Sequence, residues 1–366
     1  MKGKSISFIL IFFFTVAVLS IYLMRTNEKI NNENKISTTD SDKIIAEGVN
    51  GQAFIEDSSE MNSVLHVAIN SKDHSTLVLA VQAAELENSL VNAGPLTVFA
   101  PTNEAFDELE SIESYIEADR WKNISRRYSS NDIKKLRAPF ETISPISKTG
   151  AEKLWSLLNR DDQFISGLGA ITTQQALQMF NLDYEFIYVS GWQVAAESNG
   201  GTNTYPDLSL YPSNSGPNFV EKINNTLLRK MVELEKKAVP PVIADAESGF
   251  GGVYNVFELT SQFIKSGVAG LHFEDQLASE KKCGHMGGKV VIPTHEYINK
   301  LTSARLASDV LGSPIVLIAR TDSLNAKLMT SDFDETDRPF LSNKRSSDGY
   351  YPIEKNEEMA ITKSLA

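Results

Sequence analysis

The chain has one cysteine in 366 residues, so no intrachain disulfide can form and stability must come from core packing or assembly. Excess positive charge is equally absent. Against 47 Asp and Glu stand 35 Lys and Arg, a net charge of −12 without a basic stripe. Nucleic-acid binding depends on neutralising phosphates, so no nucleic-acid partner is expected. Neither GxGxxG nor GxxxxGK[ST] occurs, which removes the common glycine-rich phosphate cradles.

What is present divides the chain into four parts. Residues 1–24 carry Lys2 and Lys4 before "ISFILIFFFTVAVLSIYLM", an uncharged run long enough, at about 1.5 Å per residue, to nearly cross a bilayer core. No small-residue cleavage pattern follows, so the expectation is a signal-anchor or transmembrane helix, a membrane attachment with the remainder exported. Residues 25–60, with runs such as "NEKINNENKISTTDSDK", read as a flexible linker. Residues 61–110 form a small module: a helical pattern broken around Ser71 to His74, then "LTVFAPTNEAF", a short strand and a turn in which Thr102 can cap a helix. Residues 111–366 read as an α/β domain. The apolar runs "FIYVSGWQ", "PPVIADAESGFGG", "GVAGLHFEDQ" and "SPIVLIARTD" end in polar residues and alternate with helical patterns such as "NVFELTSQFIKSG". Strand, polar end, helix, strand is the repeat of a parallel barrel, in which chemistry sits at the C-terminal ends of the strands.

Those ends present Ser190, Gly191 and Trp192; Asp245 and Glu247; Glu274 and Asp275; and Arg320 and Asp322, with Asp207 in the loop between the first and second. Carboxylates from separate strands converging on one mouth repel unless a hard cation joins them, and Mg²⁺ suits an all-oxygen set. Arg320 can hold a carboxylate through two parallel bonds, and Ser190 and Trp192 offer further donors, which implies a small anionic ligand. The lone thiol lies in "SEKKCGHMGGK". Lys281, Lys282 and His285 around Cys283 are placed to lower its pKa and make it a useful nucleophile, acid or base. Cation and thiol beside a hydroxy-polycarboxylate suit carbon–carbon bond cleavage. Tyr188, near the first strand end, is either a base for the substrate hydroxyl or a core tyrosine.

From about residue 115 to 366 the chain resembles the isocitrate lyase family of the isocitrate lyase and phosphoenolpyruvate mutase superfamily, whose signature is the K-K-C-G-H of Lys281 to His285. The resemblance implies a (β/α)₈ barrel, a homotetramer, Mg²⁺, and cleavage of isocitrate to glyoxylate and succinate in the glyoxylate cycle, a cytoplasmic role. It implies Asp245, Asp207, Glu247 and Glu274 around the metal. It also implies Ser190, Gly191, Trp192, Gly284, His285 and Arg320 at substrate, with Lys281 and Lys282 beside them, and Cys283 and His285 as catalytic groups. A loop reading "KKCGHMGGK" favours isocitrate over methylisocitrate as substrate. Residues 62–109 resemble the opening of a fasciclin-like domain through "TVFAPTNEAF", which implies, as the alternative, a membrane-tethered adhesion or interaction protein. The likeness to the lyases stops at "AITKSLA", with four of eight barrel strands counted. An incomplete barrel with open edges, weak or no turnover, and a fused or incomplete reading frame are therefore expected.

Overall fold

The structure, a computed structural model, describes residues 64–83, 103, 112–137, 144–161, 164–201 and 206–366. The predicted anchor and linker lie outside the described residues. Among the described residues no helix is long and apolar enough to cross a membrane. The chain divides into two units, Met1–Tyr115 with Ala138–Glu141, and Ile116–Arg137 with Thr142–Ala366.

In the first unit, helix α1 (Val64–Ile69) and helix α2 (Ser75–Ala83) flank a 3₁₀ turn at Lys72–His74, where the sequence pattern breaks. Asn103, the one described residue of the quoted "TVFAPTNEAF", bonds across that turn. Its Oδ1 accepts the Thr76 N–H at 2.9 Å and its Nδ2 donates to the Lys72 carbonyl at 3.0 Å. Helix α3 (Ile112–Glu117) closes the stretch.

The second unit opens with α4 (Ser130–Leu136), started by a capping box of Ser129 and Asp132. Next come α5 (Pro145–Leu158), β1 (Gly167–Gly169), α6 (Thr173–Asn181), β2 (Phe186–Val189), α7 (Gly191–Ser198), α8 (Ser215–Glu233), β3 (Val242–Asp245), α9 (Val253–Lys265) and β4 (Gly270–Glu274). After β5 (Val290–Val291) follow α10 (Thr294–Val310), β6 (Val316–Arg320), β7 (Leu328–Met329), β8 (Tyr351–Pro352) and α11 (Asn356–Leu365). One sheet runs β1-β2-β3-β4-β6, every neighbouring pair parallel. Neighbours in sequence are neighbours in the sheet, the order of a singly wound βα repeat. The four expected strands are β2, β3, β4 and β6. The count of four is corrected to five parallel strands, because β1 is three residues of "GLG" with no β-branched run to announce it.

Helices alternate with the strands because their apolar stripes bury against the sheet. Helix α9 turns Val256, Leu259, Phe263 and Ile264 inward, where they join Leu271, Phe273, Val242 and Ala244 in one continuous core. Gly216 in α8 is required by that packing, since a Cβ there would stand 2.7 Å from the Phe263 ring. Strand β4 is buried at all five positions, as expected of a central parallel strand. The second sheet, β5-β7-β8, is not announced by the sequence, because each of its three strands has only two residues. It carries a small separate core of Val291, Ala326, Met329, Leu341 and Met359. Residues 116–137 pack within the same unit: Arg126 bonds Asp309 at 2.6 Å, Tyr128 bonds it at 2.7 Å, and Arg137 donates to the carbonyls of Asp309 and Val310.

Candidate active site

Three carboxylates meet at the C-terminal ends of β2 and β3. Asp207, Asp245 and Glu247 each bring an oxygen within 4.8 Å of the others. Asp245 ends β3, where its Oδ1 accepts the Glu247 N–H at 2.8 Å and its Oδ2 accepts the Gly191 N–H at 3.3 Å. Glu247 turns inward because its backbone adopts a left-handed conformation, φ 56°, and it is fully buried. Lys300 of α10 fixes the same turn by donating to the Ser248 carbonyl at 3.0 Å. Asp207 is held by the Ser209 N–H at 3.1 Å, while the Ser209 and Tyr211 hydroxyls donate to Glu247. Gly191 opens α7 directly against the three acids. A Cβ there would lie 2.8 Å from Asp245 Oδ2 and 2.9 Å from Asp207 Oδ2, so no other residue leaves the oxygens accessible.

One cation already stands among these groups. Lys281 Nζ pairs with Asp207 and Glu247 and lies 3.4 Å from Glu274 Oε1. Burial and then the Asp245 charge push the Glu247 carboxyl well above its ordinary range, although Lys281 opposes them. Burial likewise pushes Glu274 up to about 8, against the pull of Lys281. Glu274 Oε1, at the end of β4, accepts no hydrogen bond. A buried oxygen without a donor, next to three carboxylates within the span that one cation bonding at about 2.1–2.6 Å can bridge, fits a hard divalent ion.

A hydrogen-bonded pair stands behind Asp245. Tyr188 Oη and His272 Nε2 are 2.8 Å apart, and His272 Nδ1 lies 3.6 Å from Asp245 Oδ1. Burial holds the His272 ring below its ordinary pKa and the Tyr188 phenol above its own, so Tyr188 keeps its proton.

The thiol-bearing segment follows a 3₁₀ turn at Ala278–Glu280. Cys283 is part-buried, and among the described residues no hydrogen bond reaches its sulfur. The two lysines expected to serve the thiol point elsewhere: Lys281 enters the acid cluster and Lys282 donates to the Glu280 carbonyl at 3.2 Å. Gly284 and Arg320 do meet, since a Cβ on Gly284 would be 3.0 Å from the Arg320 guanidinium. Ser190 sits just ahead of α7, Trp192 is 59% exposed, and His285 is exposed. Asp275 and Asp322 do not join the three carboxylates. Asp275 accepts from Lys363, Thr321 and the Asp322 N–H; Asp322 pairs with Lys289 and Arg320. Burial pushes Asp322 up, but its bond to Glu274 and the charges of Arg320 and Lys289 prevail and hold it down at about 2.

The profile of the isocitrate lyase family matches residues 108–351, and that of the fasciclin domain matches residues 72–136, later in the chain than the 62–109 read from sequence. Isocitrate lyase of Halalkalibacterium halodurans is 49% identical over 253 residues, 68% of this chain and 59% of that protein. Isocitrate lyase of Escherichia coli is 46% identical over 272 residues, 71% of this chain and 63% of that one. Isocitrate lyase 1 of Mycobacterium tuberculosis is 46% identical over 254 residues, 68% of this chain and 59% of that one. The chain thus spans about three fifths of the length of these relatives. Among solved structures, oxaloacetate acetylhydrolase with 3,3-difluorooxalacetate is 35% identical over 50% of this chain and 56% of that one, with a TM-score of 0.42.

Proposed function

Because this chain belongs to the isocitrate lyase family, we propose that its site cleaves isocitrate to glyoxylate and succinate, a step of the glyoxylate cycle, on a TIM-type barrel scaffold. The carbon–carbon lyase class follows from the family; the substrate, the metal and the residue roles are the proposal. Asp245, Asp207 and Glu247 would hold Mg²⁺, with Glu274 at its edge. When bound, that ion would polarise the substrate's hydroxyl and carboxylate oxygens. Ser190, Gly191 and Trp192 would receive the end of the substrate that leaves as glyoxylate. Arg320, Gly284 and His285 would receive carboxylates, the guanidinium being able to bind two oxygens in parallel. As a carboxylate at the mouth accepts the hydroxyl proton, the O–H electrons form the glyoxylate carbonyl, and the broken C–C bond leaves its pair on the succinate carbon. Cys283 gives its thiol proton to that carbon.

The observation that carries the proposal is the gathering of three carboxylates against a glycine, with an unsatisfied buried Glu274 oxygen beside them. The test is glyoxylate release from isocitrate and from methylisocitrate by the full chain, with Mg²⁺ or with a chelator, and with Cys283→Ser as control. Mg²⁺-dependent, Cys283-dependent release from isocitrate supports the reading. Release from methylisocitrate alone moves it to a sibling lyase. Failure of the chain to bind Mg²⁺ calorimetrically would overturn it.

A further inference from the structure

Gln276 is fully buried two residues beyond β4 and takes no part in the chemistry above. A buried carboxamide needs all its hydrogen-bonding capacity met. Gln276 meets it on the thiol-bearing segment and on the acids beneath that segment. Its Oε1 accepts the Lys282 N–H at 2.9 Å, and its Nε2 donates to the Lys282 carbonyl at 2.9 Å. The same Nε2 donates to Glu274 Oε2 at 2.6 Å and to Asp322 Oδ2 at 3.2 Å.

Lys289 supplies a matching anchor on the other side of the thiol. Its ammonium, at the end of a side chain 1% exposed, donates to the Gly284 carbonyl at 2.6 Å and to Asp322 Oδ1 at 2.9 Å. Cys283 therefore hangs between two tethered peptide groups, and both tethers end on Asp322. Asp322 in turn bonds the Arg320 guanidinium at 3.2 Å.

We propose that Gln276 is a positioning residue: its carboxamide fixes where Cys283 stands relative to Arg320 and Glu274. The position it sets matters to turnover only if Cys283 is the proton donor, so in that respect it rests on the lyase reading. The tether itself does not.

Since Cys283 is the only cysteine, alkylation of the full chain reports one site. Gln276→Leu removes every polar bond of the side chain and puts an apolar group of similar size in its place. Its alkylation by iodoacetamide at fixed pH is expected to run about tenfold or more faster, as release of a local anchor should. A loss of kcat of about a hundredfold with KM changed by less than about threefold is expected from a misplaced reacting group. Leu227→Ala, a buried position in α8 that also destabilises the fold, should leave alkylation within about twofold. An unchanged alkylation rate in Gln276→Leu, or equal acceleration in Leu227→Ala, overturns the proposal. Should Gln276→Leu fail to fold, Lys289→Met loosens the other tether and carries the same expectation, with an unchanged rate again overturning it. If the chain releases no glyoxylate at all, the alkylation comparison decides alone, so this inference and the lyase reading can fail separately.

Discussion

Glu274 and Asp275 are neighbours at the end of β4, exposed by only 1% and 0%, yet they meet opposite surroundings. Asp275 is saturated: Lys363 at 2.9 Å, the Thr321 hydroxyl at 2.8 Å and the Asp322 N–H at 2.8 Å complete its shell. It ties α11 to the loop after β6. Glu274 faces the mouth, shares Lys281 with two other acids, and leaves Oε1 without a donor. A buried acid whose partners are complete belongs to the scaffold. One whose partners are missing marks the place where a ligand completes the set.

Removing the cation from each side is the most forceful way to break this contrast. Lys363→Met should lose about 3–5 kcal/mol in urea denaturation, the usual result of leaving a buried charge unpaired, and Mg²⁺ should not restore it. Lys281→Met should also lose stability in chelator, but saturating Mg²⁺ should recover most of the loss, because a divalent ion can replace the ammonium among Asp207, Glu247 and Glu274. If both variants respond to Mg²⁺, or neither does, the distinction between the two acids fails.

A pH series sharpens the comparison. With its carboxyl raised from the ordinary 4.5 to about 8, folded Glu274 keeps a proton that the unfolded chain releases. Its contribution is therefore fully present below about pH 4.5 and is lost progressively as pH rises towards 8. Asp322 has the reverse sign: held at about 2, its contribution is full above its ordinary 3.8 and is lost as pH falls through 2. Urea midpoints in chelator should thus carry a decline above pH 4.5, to which Glu247 also contributes, and Glu274→Gln should reduce it. Persistence of the same decline in that variant would assign it to another group. The smallest expected effect is at Gly191→Ala. Its Cβ would crowd all three carboxylates, so calorimetry should show Mg²⁺ affinity reduced about tenfold, the size of effect usual for residues that hold metal ligands in place. Unaltered affinity would mean that the ion sits elsewhere.

Much of this was legible in the sequence, for reasons that can be traced to residues. Four strands announced themselves as apolar runs ending in Ser190, Asp245, Glu274 and Arg320, since a buried parallel strand is apolar throughout and turns polar where it reaches the mouth. The acids Asp207, Asp245 and Glu247 followed from that placement. Asp275 could not be separated from Glu274 by sequence, because its main partner, Lys363, lies 88 residues away on α11. The same holds for Lys281: its proximity to Cys283 along the chain suggested service to the thiol, whereas in space it reaches Asp207 and Glu247. Ser209 and Tyr211 follow Asp207 in the same loop, and only the contact with Glu247 gives them a role. His272, a polar residue within an otherwise apolar strand, was the signal that went unused.

Glu247 stands in a left-handed turn. Outside glycine that backbone shape is disfavoured by about 1–2 kcal/mol, yet Glu235 and Phe250 adopt it too, so at Glu247 it aims the carboxylate without being by itself a mark of chemistry.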